Sequence, residues 1–493
     1  MSLAIHNRLV GLGHNVRVPL AVSVIPPEPD LTAAGSFLQL TVTQILRLLP
    51  GKRLVGLTEW QQAPAIIKLF YHERRWSRHL QREQAGFEMA RKYGLPVPRV
   101  LASGRIANQN GGYLIIEYLS DGVGLDTLVE LHNTRLDVAI RQALSLIACC
   151  HRQGLWQQDI HLGNFMALDG TMYLLDSAEL KSENPGMVLS DAQRIANLAL
   201  FFAQFSVYRD SRVGQLMETY NSELAGDAAS GDLTLLLALI RQARERRLDK
   251  YQSKLFRTTS AFHMEQSAGQ RLLCDRKIMT DEFFSFVRNP DLFLAQGTLL
   301  KGGNTTTVGL VTLGGTDYVL KRYNIKSTLH GLRKMFRASR ASRSWRSGLV
   351  LEMLGVTTAR PLMMLERRQA WFLRRESYIL YELVKGATVP EVLGSDHLEA
   401  ATRDRIFESF KQFLEVLRRY MISHGDLKAS NFIFANDELV LLDLDATTRH
   451  ALRLTFRRAF RKDLERFLRN FSEGSGMQAM QGQARDLVRS LNV

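Results

Sequence analysis

The sequence predicts an α+β fold made of two tandem copies of one two-lobed domain, each with a small β-rich N-terminal lobe and a helical C-terminal lobe. Two observations carry this prediction. An Asp, an Asn five residues later and a second Asp that ends an apolar run occur in the same order in each half of the 493 residues. Upstream of both copies, a strand-like run with one lysine, a helical stretch and a second strand-like run also recur.

The recurring acid and amide residues have the arrangement of a kinase-type site. In such a site one carboxylate orients the acceptor hydroxyl, and an amide and a second carboxylate hold a divalent metal through hard oxygen atoms. The first copy consists of Asp159, Asn164 and Asp176, and the second of Asp426, Asn431 and Asp443. We expect the first Asp of each copy to be catalytic and the other four residues to bind the metal.

Each half also has a lysine in a strand-like run, where a kinase-type site pairs a lysine with the α and β phosphates of the nucleotide. These lysines are Lys68 and Lys321. In the first half Glu83, in the helical stretch that follows, is expected to hold Lys68; the alternative is a surface salt bridge with a neighbouring arginine. In the second half Ser344 has the corresponding helix position and Glu352 is the nearest acid, out of register. This does not favour an ordinary lysine–glutamate pair there.

Three further features concern the nucleotide and the metal. The strand ends at Glu117 and Glu382 lie where backbone groups would meet the adenine ring, so both residues are predicted to be part of the nucleotide site. Residues 301–309 (KGGNTTTVG) predict a hairpin that covers the nucleotide. The first half offers fewer glycines for such a turn, only those of residues 50–53 (PGKR) and Gly56. Asp445 is either a spare carboxylate near the metal or a surface residue, and we favour the second interpretation.

The two copies differ next to the first Asp. The second copy has His424-Gly425 there, and the first has Gln157-Gln158. Loss of the His-Gly pair would leave the first domain regulatory or able only to bind nucleotide. We therefore expect the second domain to be the main catalyst.

The domain boundaries follow from these landmarks. We assign residues 1–35 to an N-terminal extension that adds a strand or stays partly disordered, and residues 36–245 to the first kinase-like domain. The polar segment 246–290, rich in Arg and Gln, is predicted to be a helical linker, and residues 291–493 are assigned to the second kinase-like domain.

The composition is that of a globular protein with a basic surface. Its net charge is +15, and no stretch is long and apolar enough to predict a signal peptide or a transmembrane helix. Its three cysteines lack metal-site spacing and favour a reducing compartment. Two basic clusters stand out: Lys326, Arg333, Lys334, Arg337, Arg340, Arg343 and Arg346, and then Arg449, Arg453, Arg457, Arg458, Arg461 and Lys462. They indicate either solvated helix faces or an anionic partner such as a membrane surface, a phosphorylated glycolipid or nucleic acid.

With these residues, the chain resembles the bacterial lipopolysaccharide core kinases, the Kdo/heptose kinase-like proteins related to RIO and small-molecule kinases. The segments that carry the resemblance are IIKLF, REQAGFEMARKYGLPVPRV and QDIHLGNF in the first half, and YVLKRYN, GVTTARPL and HGDLKASNF in the second. The resemblance implies a two-lobed kinase fold that uses ATP and Mg²⁺. It also implies phosphorylation of a sugar hydroxyl, on heptose or Kdo, of the lipopolysaccharide inner core by a peripheral enzyme on the cytoplasmic face of the inner membrane.

Other functions remain open. One is a kinase for another acceptor, a protein or a soluble small molecule. A second is a pair of nucleotide-binding pseudokinases that act as a scaffold in envelope assembly, although retention of the lysine, Asp and Asn residues in both halves does not favour it. No recognition motif indicates specific nucleic-acid binding.

Overall fold

The computed structural model describes residues 18–26, 37–107, 110–131, 134–224, 232–324, 338–369 and 373–491. The chain forms two compact units that divide between Glu245 and Arg246, except that Ser206–Tyr208 are part of the second unit. Within the described ranges, no helix is both long enough and apolar enough to cross a membrane.

The N-terminal part of the first unit is a five-stranded antiparallel sheet in the order β3-β4-β5-β7-β6, with a helix on one face and a strand pair on the other. Its elements are β1 (Leu20–Val24), β2 (Leu38–Val42), β3 (Gln44–Leu49), β4 (Arg53–Trp60), β5 (Ala63–Phe70), α1 (Trp76–Lys92), β6 (Val100–Arg105) and β7 (Gly112–Glu117). Strand β1, in the predicted extension, pairs with β2. The rest of that extension, residues 1–17 and 27–35, lies outside the described residues.

The central strand β5 is apolar on both faces, which determines where its lysine lies. Ala65, Ile67 and Leu69 are buried in the cluster that contains β1 and β2. Phe70, on the opposite face, is buried with residues of α1. Because side chains alternate across a strand, Lys68 shares the face of Phe70 and is directed towards α1.

The remainder of the first unit is mainly helical and carries one short hairpin, β10–β11, and a short antiparallel pair, β9–β12. Its elements are β8 (Val123–Gly124), α2 (Leu125–Glu130), α3 (Leu136–Arg152), β9 (Leu155–Gln157), β10 (Phe165–Leu168), β11 (Thr171–Leu174), β12 (Leu180–Ser182), α4 (Asp191–Phe202), α5 (Val213–Leu224) and α6 (Leu233–Gln252). Buried Ile140, Leu144 and Ile147 recur at helical spacing along α3, so this helix is amphipathic and packs into the unit's largest core.

The second unit has a seven-stranded sheet in the order β13-β14-β18-β19-β17-β16-β15, followed by a helical part. The elements of the sheet region are β13 (Phe262–Gln266), β14 (Gln270–Asp275), α7 (Asp281–Arg288), α8 (Pro290–Gln296), β15 (Thr298–Lys301), β16 (Thr306–Leu313), β17 (Thr316–Tyr323), α9 (Arg340–Met353), β18 (Pro361–Gln369) and β19 (Leu373–Glu382). Those that follow are β20 (Ala387–Thr388), α10 (Val389–Leu393), α11 (Ala400–Arg419), β21 (Ile422–Ser423), β22 (Phe432–Ala435), β23 (Glu438–Leu441), β24 (Thr448–Arg449), α12 (Arg453–Arg469) and α13 (Gln481–Ser490).

The helical linker predicted for residues 246–290 is wrong in its central part. Strands β13 and β14 form a hairpin there, and β14 extends the sheet by pairing with β18. The alternating residues Leu272 and Cys274 are buried in the sheet's core, a period of two that belongs to a strand. The polar composition of the segment hid this pattern, because the arginines and glutamines lie on the other face or in the flanking turns.

The two units have the same order of elements. The five strands β15-β16-β17-β19-β18 repeat the order β3-β4-β5-β7-β6, and α9 follows β17 as α1 follows β5. Each sheet is followed by a long helix (α3 or α11), a short antiparallel strand pair (β9–β12 or β21–β24) that encloses a hairpin (β10–β11 or β22–β23), and a further helix (α4 or α12). The predicted fold class, a mixed helix and sheet fold of kinase-like domains, is confirmed.

Gly86 in α1 provides a test of how this helix packs. A Cβ atom at this position would lie 2.0 Å from the carbonyl oxygen of Ser177, a backbone atom that cannot turn aside. Gly86→Ala is therefore expected to lower the free energy of unfolding of the first unit by about 1–3 kcal/mol, despite the higher helix propensity of alanine. Urea denaturation would measure this. Glu88→Ala, at an exposed position of the same helix, is the control and should stay within about 0.5 kcal/mol; a Gly86→Ala protein as stable as the parent contradicts the packing.

Candidate functional site

The strand lysine of the first unit is bound to the predicted glutamate. The Nζ atom of Lys68 donates a hydrogen bond to Oε1 of Glu83, and Nη1 of Arg53 lies 3.4 Å from Oε2 of the same residue. Lys68 is 7% exposed and Glu83 only 1%, so the alternative of a surface salt bridge does not fit. Buried charges are stable only when paired, and here one carboxylate serves two cations.

Helix α1 is fastened to the segment that follows Asp176. Nε of Arg82 donates to the carbonyl oxygen of Ala178 at 2.8 Å, and Arg82 also forms an ion pair with Glu179. Together with the close approach at Gly86, these contacts position the helix that carries Glu83 relative to the loop that carries the predicted metal ligand.

The three predicted loop residues of the first unit lie together. The side-chain amide of Asn164 donates to the carbonyl oxygen of Asp159 at 3.4 Å, and the backbone carbonyl oxygen of Asn164 accepts from Leu175 N at 2.8 Å. The carboxylate of Asp176 accepts from the backbone N–H of Ala178 at 3.1 Å. Asp159 itself is exposed, as an acceptor-binding carboxylate must be.

The second unit repeats this loop with tighter contacts. The side-chain amide of Asn431 donates to the carbonyl oxygen of Asp426 at 2.8 Å, and Leu442 N donates to the carbonyl oxygen of Asn431 at 2.8 Å. Oδ1 of Asp426 lies 3.2 Å from Nζ of Lys428 and 3.3 Å from Nη1 of Arg466. The predicted acceptor-binding carboxylate of this unit therefore has two cations beside it.

Asp463, in α12, anchors this loop and was missed by the sequence analysis. Its carboxylate accepts from the backbone N–H of His424 at 2.7 Å and from that of Gly425 at 2.9 Å. Burial raises the pKa of Asp463 to about 6, against the effect of these hydrogen bonds. The sequence does contain a signal for this role. Asp463 lies on the buried stripe of α12 between Phe460 and Phe467, where an acid without a partner is not expected.

The substitution of Gln157 for the loop histidine does not leave the first loop unsupported. Nε2 of Gln157 donates to the carbonyl oxygen of Asp176 at 2.7 Å, and the Gln157 carbonyl oxygen accepts from Nδ2 of Asn197 at 2.9 Å. In the second unit buried His424 contacts the carbonyl oxygen of Leu442 at 3.4 Å, and burial lowers the pKa of this histidine. Gln157 and His424 thus make similar links to the backbone at or beside the predicted metal ligand of each unit. Asn197 bonds the backbone of Gln157 much as Asp463 bonds that of His424.

The strand lysine of the second unit has a different partner from that of the first. Nζ of Lys321 lies 2.7 Å from Oδ1 of Asp443 and 3.5 Å from Oδ2 of Asp445. Nε of Arg340, at the start of α9, donates to Oδ2 of Asp445 at 2.9 Å. Asp445 is only 7% exposed, so its interpretation as a surface residue is wrong. Two buried or half-buried cations require a carboxylate there, because the glutamate of α9, Glu352, pairs with Arg360 instead.

The alternatives on α9 are excluded by their contacts. Oε1 of Glu352 pairs with Nη1 of Arg360 at 2.5 Å and not with Lys321. Ser344, at the position of the first unit's glutamate, is fully buried and its hydroxyl lies 3.2 Å from that of Tyr323. The expectation that the second unit lacks an ordinary lysine–glutamate pair agrees with this geometry.

Asp443 remains ionised in this network. Burial by itself raises the pKa of Asp443, but the charge and hydrogen bond of Lys321 outweigh it and hold the pKa below its ordinary value. The residue has a φ of 48°, in the left-handed region that non-glycine residues seldom adopt. Such strain persists where surrounding contacts impose it, and it directs the chain into the turn that carries Asp445.

The residues predicted to meet adenine lie at the C-terminal ends of two interior strands, Glu117 in β7 and Glu382 in β19. The backbone N–H of Glu117 donates to the carbonyl oxygen of Arg99 at 2.9 Å, and that of Glu382 to Arg360 at 3.0 Å. A hydrogen bond from the Arg99 side chain lowers the pKa of Glu117. Residues 301–309 form the turn between β15 and β16, and Nη1 of Arg340 donates to Thr306 Oγ1 at 3.3 Å.

The first basic cluster is not one continuous solvated face in the described part. Lys326, Arg333, Lys334 and Arg337 fall outside the described residues. Of the others, Arg340 pairs with Asp445 and Arg346 stacks on the ring of Phe256 at 5.0 Å.

The second basic cluster is mostly solvent-exposed. Its arginines and lysine lie on the exposed face of α12, apart from Arg449, which is bonded to Asp249 at 2.8 Å. Leu452 and Leu454, at the start of this helix, are 66% and 63% exposed.

Comparison with known proteins assigns the second unit. Residues 295–490, which contain Lys321, Asp426, Asn431 and Asp443, match the model of the Lipopolysaccharide kinase (Kdo/WaaP) family. This confirms the resemblance for that region and makes the protein a phosphotransferase. No curated protein matches the chain.

Among solved structures, the chain is similar to WaaP in complex with acyl carrier protein and to the kinase domain of Mycobacterium tuberculosis PknI. The first has a TM-score of 0.30 at 16% identity and covers 42% of this chain and 88% of the other. The second has a TM-score of 0.27 at 16% identity and covers 41% of this chain and 95% of the other.

The buried Asp463 carboxyl should make stability depend on pH. Its pKa is raised from 3.8 to about 6, so folding binds a proton. The stabilisation is complete below the unfolded pKa and is lost as pH rises through about 6, a change of about 3 kcal/mol. Asp463→Asn stays neutral at every pH, so its free energy of unfolding should rise relative to the parent protein between about pH 4 and about pH 7.

Urea denaturation of both proteins across this range would measure the difference. Glu465→Gln, at an exposed position of the same helix, is the matched control and should show little pH-dependent difference. Phosphoryl transfer should nevertheless fall in Asp463→Asn, because an amide has only one oxygen to accept from two backbone N–H groups. If the difference in free energy of unfolding between Asp463→Asn and the parent protein did not change with pH, the raised pKa of Asp463 would be contradicted.

Proposed function

Because residues 295–490 match a lipopolysaccharide kinase family, we propose that this protein phosphorylates a sugar hydroxyl, on heptose or Kdo, of the lipopolysaccharide inner core. The observation that carries the proposal is the coincidence of this match with one loop that holds Asp426, Asn431 and the ionised Asp443 together. A phosphoryl-transfer site needs few groups held in position, and this loop supplies them.

ATP and Mg²⁺ are the proposed cofactors, and the residues present fit both. The amide nitrogen of Asn431 is bonded to the Asp426 carbonyl, which leaves the amide oxygen as its metal-binding atom. Together with the Asp443 carboxylate, it supplies the oxygen ligands that Mg²⁺ prefers. The metal would neutralise charge on the nucleotide phosphates, and Lys321, beside Asp443, would contact the same phosphates. Backbone groups at Glu382 would meet the adenine ring.

Asp426 is the proposed acceptor-binding residue. Its carboxylate is accessible and would accept the hydrogen of the sugar hydroxyl, which orients the oxygen for attack. Lys428 and Arg466, which both contact Oδ1, would hold this carboxylate in place. Either cation is also suited to a phosphate already present on the acceptor.

The first unit is proposed to bind ATP and Mg²⁺ in the same way. Lys68 with Glu83 would hold the phosphates, Asn164 with Asp176 the metal, and the backbone at Glu117 the adenine. Its lysine–glutamate pair is complete and Gln157 supports the loop, so a second phosphoryl-transfer site at Asp159 is favoured over a scaffold without activity.

Peripheral attachment to the inner face of the bacterial inner membrane is proposed through the start of α12. There, two exposed leucines, Leu452 and Leu454, flank Arg453, and further arginines follow on the exposed face. Apolar side chains that insert at the interface and cations that contact anionic headgroups are the two components of interfacial binding.

The proposed roles of the two loops can be tested by removing each carboxylate. Asp426→Ala is expected to lower transfer of phosphate from ATP to inner-core oligosaccharide by about 10²–10⁴-fold, because the acceptor hydroxyl loses its orienting group. Asp159→Ala should cost less if the second unit is the main catalyst. Nucleotide binding should survive in both variants. Mass spectrometry of the core oligosaccharide, with purified protein and in cells with and without it, would detect the phosphate.

Asp404→Ala, at an exposed position of α11, is the control and should keep full activity. An active Asp426→Ala protein would transfer the main catalytic role to Asp159. An unchanged core in cells that lack the protein would overturn the proposed substrate while leaving the kinase class intact.

Membrane attachment predicts a salt-dependent interaction with anionic lipid. Binding of the full chain to phosphatidylglycerol vesicles should fall steeply as the Debye length contracts to about 10 Å at about 0.1 M salt. Joint Leu452→Ser and Leu454→Ser should weaken binding without changing its dependence on salt. The same change at exposed Leu233 and Leu235 should have no effect. Equal binding to neutral phosphatidylcholine vesicles would refute electrostatic attachment.

A further inference from the structure

We propose that the first unit has its own pocket for a sugar that carries a negatively charged group, on the outer side of the loop that bears Asp159. The proposal rests on the proposed function for the sugar class, and goes beyond it by assigning an acceptor pocket outside the region that matches the kinase family. Neither the loop residues nor the lysine–glutamate pair described above accounts for this pocket.

The pocket is an open cavity of about 400 Å³ between the β9–β12 ribbon and helix α4. This volume is within the range of sites that hold small ligands. Gln158, which immediately precedes Asp159, forms part of its lining. The other lining residues on which the proposal depends are Trp156, Lys181, Ser182, Gln193 and Leu200.

Two strands place an aromatic ring beside a cation in this pocket. Trp156 in β9 and Lys181 in β12 are direct partners across the antiparallel pair, so their side chains lie on the same face of the ribbon. Both are half-buried. Leu200, from α4, adds an apolar surface that is 39% exposed.

Four polar side chains of the pocket have no partner of their own, whereas Asn197, which also lines it, is bonded to Gln157. In the part of the chain that the structure describes, the side chains of Lys181, Gln158, Gln193 and Ser182 make no hydrogen bond or ion pair. Two amides and a hydroxyl offer both donors and acceptors, and the ammonium group offers three donors. Such groups, gathered in one cavity with an exposed apolar wall, are arranged for a ligand and not for the protein interior.

In the second unit an arginine side chain contacts the loop at the corresponding place. Asn197 in α4 corresponds to Asp463 in α12, and three residues further Leu200 corresponds to Arg466. Arg466 donates to the carbonyl oxygen of Gly425, the residue at the position of Gln158. The ribbon partners that correspond to Trp156 and Lys181 are Ser423 and Thr448. Where the second unit has an internal arginine contact, the first unit has an open cavity lined by polar side chains without partners.

The chemistry of the lining indicates the class of ligand. The indole ring of Trp156 and the side chain of Leu200 suit the apolar C–H face of a sugar ring, and amides suit its hydroxyl groups. Lys181 adds a point charge for a carboxylate or phosphate substituent. A neutral sugar would leave the ammonium group without a partner, so the charge of the ligand is part of the assignment.

Isothermal titration calorimetry of the full chain tests this with four probes: galacturonate, glucose 6-phosphate, methyl glucoside and inorganic phosphate. We expect the two charged sugars to bind at least about tenfold more tightly than the neutral sugar and the free ion. Lys181→Met should remove this preference for charge. Leu200→Arg, which introduces the residue of the second unit, should fill the cavity and weaken binding of both charged sugars by about tenfold or more.

Leu235→Arg is the matched control, since it makes the same change at another exposed leucine of the first unit, and it should bind as the parent protein does. Unchanged binding in Lys181→Met and Leu200→Arg, equal binding of methyl glucoside, or no binding of any sugar would each overturn the pocket. Kinase activity measured on the same samples distinguishes these results from failure of the proposed function, because the main activity is assigned to Asp426 in the second unit, which does not line this cavity.

Discussion

Each unit depends on a buried strand lysine that must be neutralised where the sheet meets the helical part of the fold. A charge that is 7–8% exposed, as Lys68 and Lys321 are, is tolerated only with a carboxylate partner. In the first unit Glu83 supplies it from α1, and contacts from Arg82 and Gly86 fasten that helix to the loop beyond Asp176. The Lys68–Glu83 ion pair joins sheet to helix, and these contacts join the helix to the loop with the predicted metal ligand.

The second unit neutralises its strand lysine with carboxylates from the loop and not from the helix. Lys321 contacts Asp443 and Asp445, both in the loop, while the helix contributes a cation, Arg340, to the network. The helix residue in this network is a cation and not an acid, because the carboxylates that neutralise Lys321 come from the loop. In the structure described here, Lys321 is therefore bound directly to a predicted metal ligand, whereas Lys68 is bound to the helix.

The catalytic loops show a second compensation of this kind. His424 and Gly425 are held by Asp463, and Gln157 is held by Asn197 and reaches Asp176 itself. The loop backbone needs hydrogen-bond partners in the interior, and the two units satisfy it with different side chains. Arg466 in one unit and the open pocket near Leu200 in the other are a further difference of this kind.

The sequence alone determined the repeated order of elements, the lysines, the loop acids and amides, and the Lys68–Glu83 pair. These follow from local spacing, since alternation along a strand and the fixed length of a loop are encoded by neighbours in the chain. The hairpin β13–β14, the buried positions of Asp445 and Asp463, and the pocket at Trp156 and Lys181 were decided only by the tertiary structure. Each depends on which distant segment covers a residue: β18 pairs with β14, Arg340 approaches Asp445 from α9, and α12 packs under the loop at His424. A polar residue in the sequence has the same appearance whether it is solvated or buried with a partner, and only the packing of segments far apart in the chain distinguishes the two.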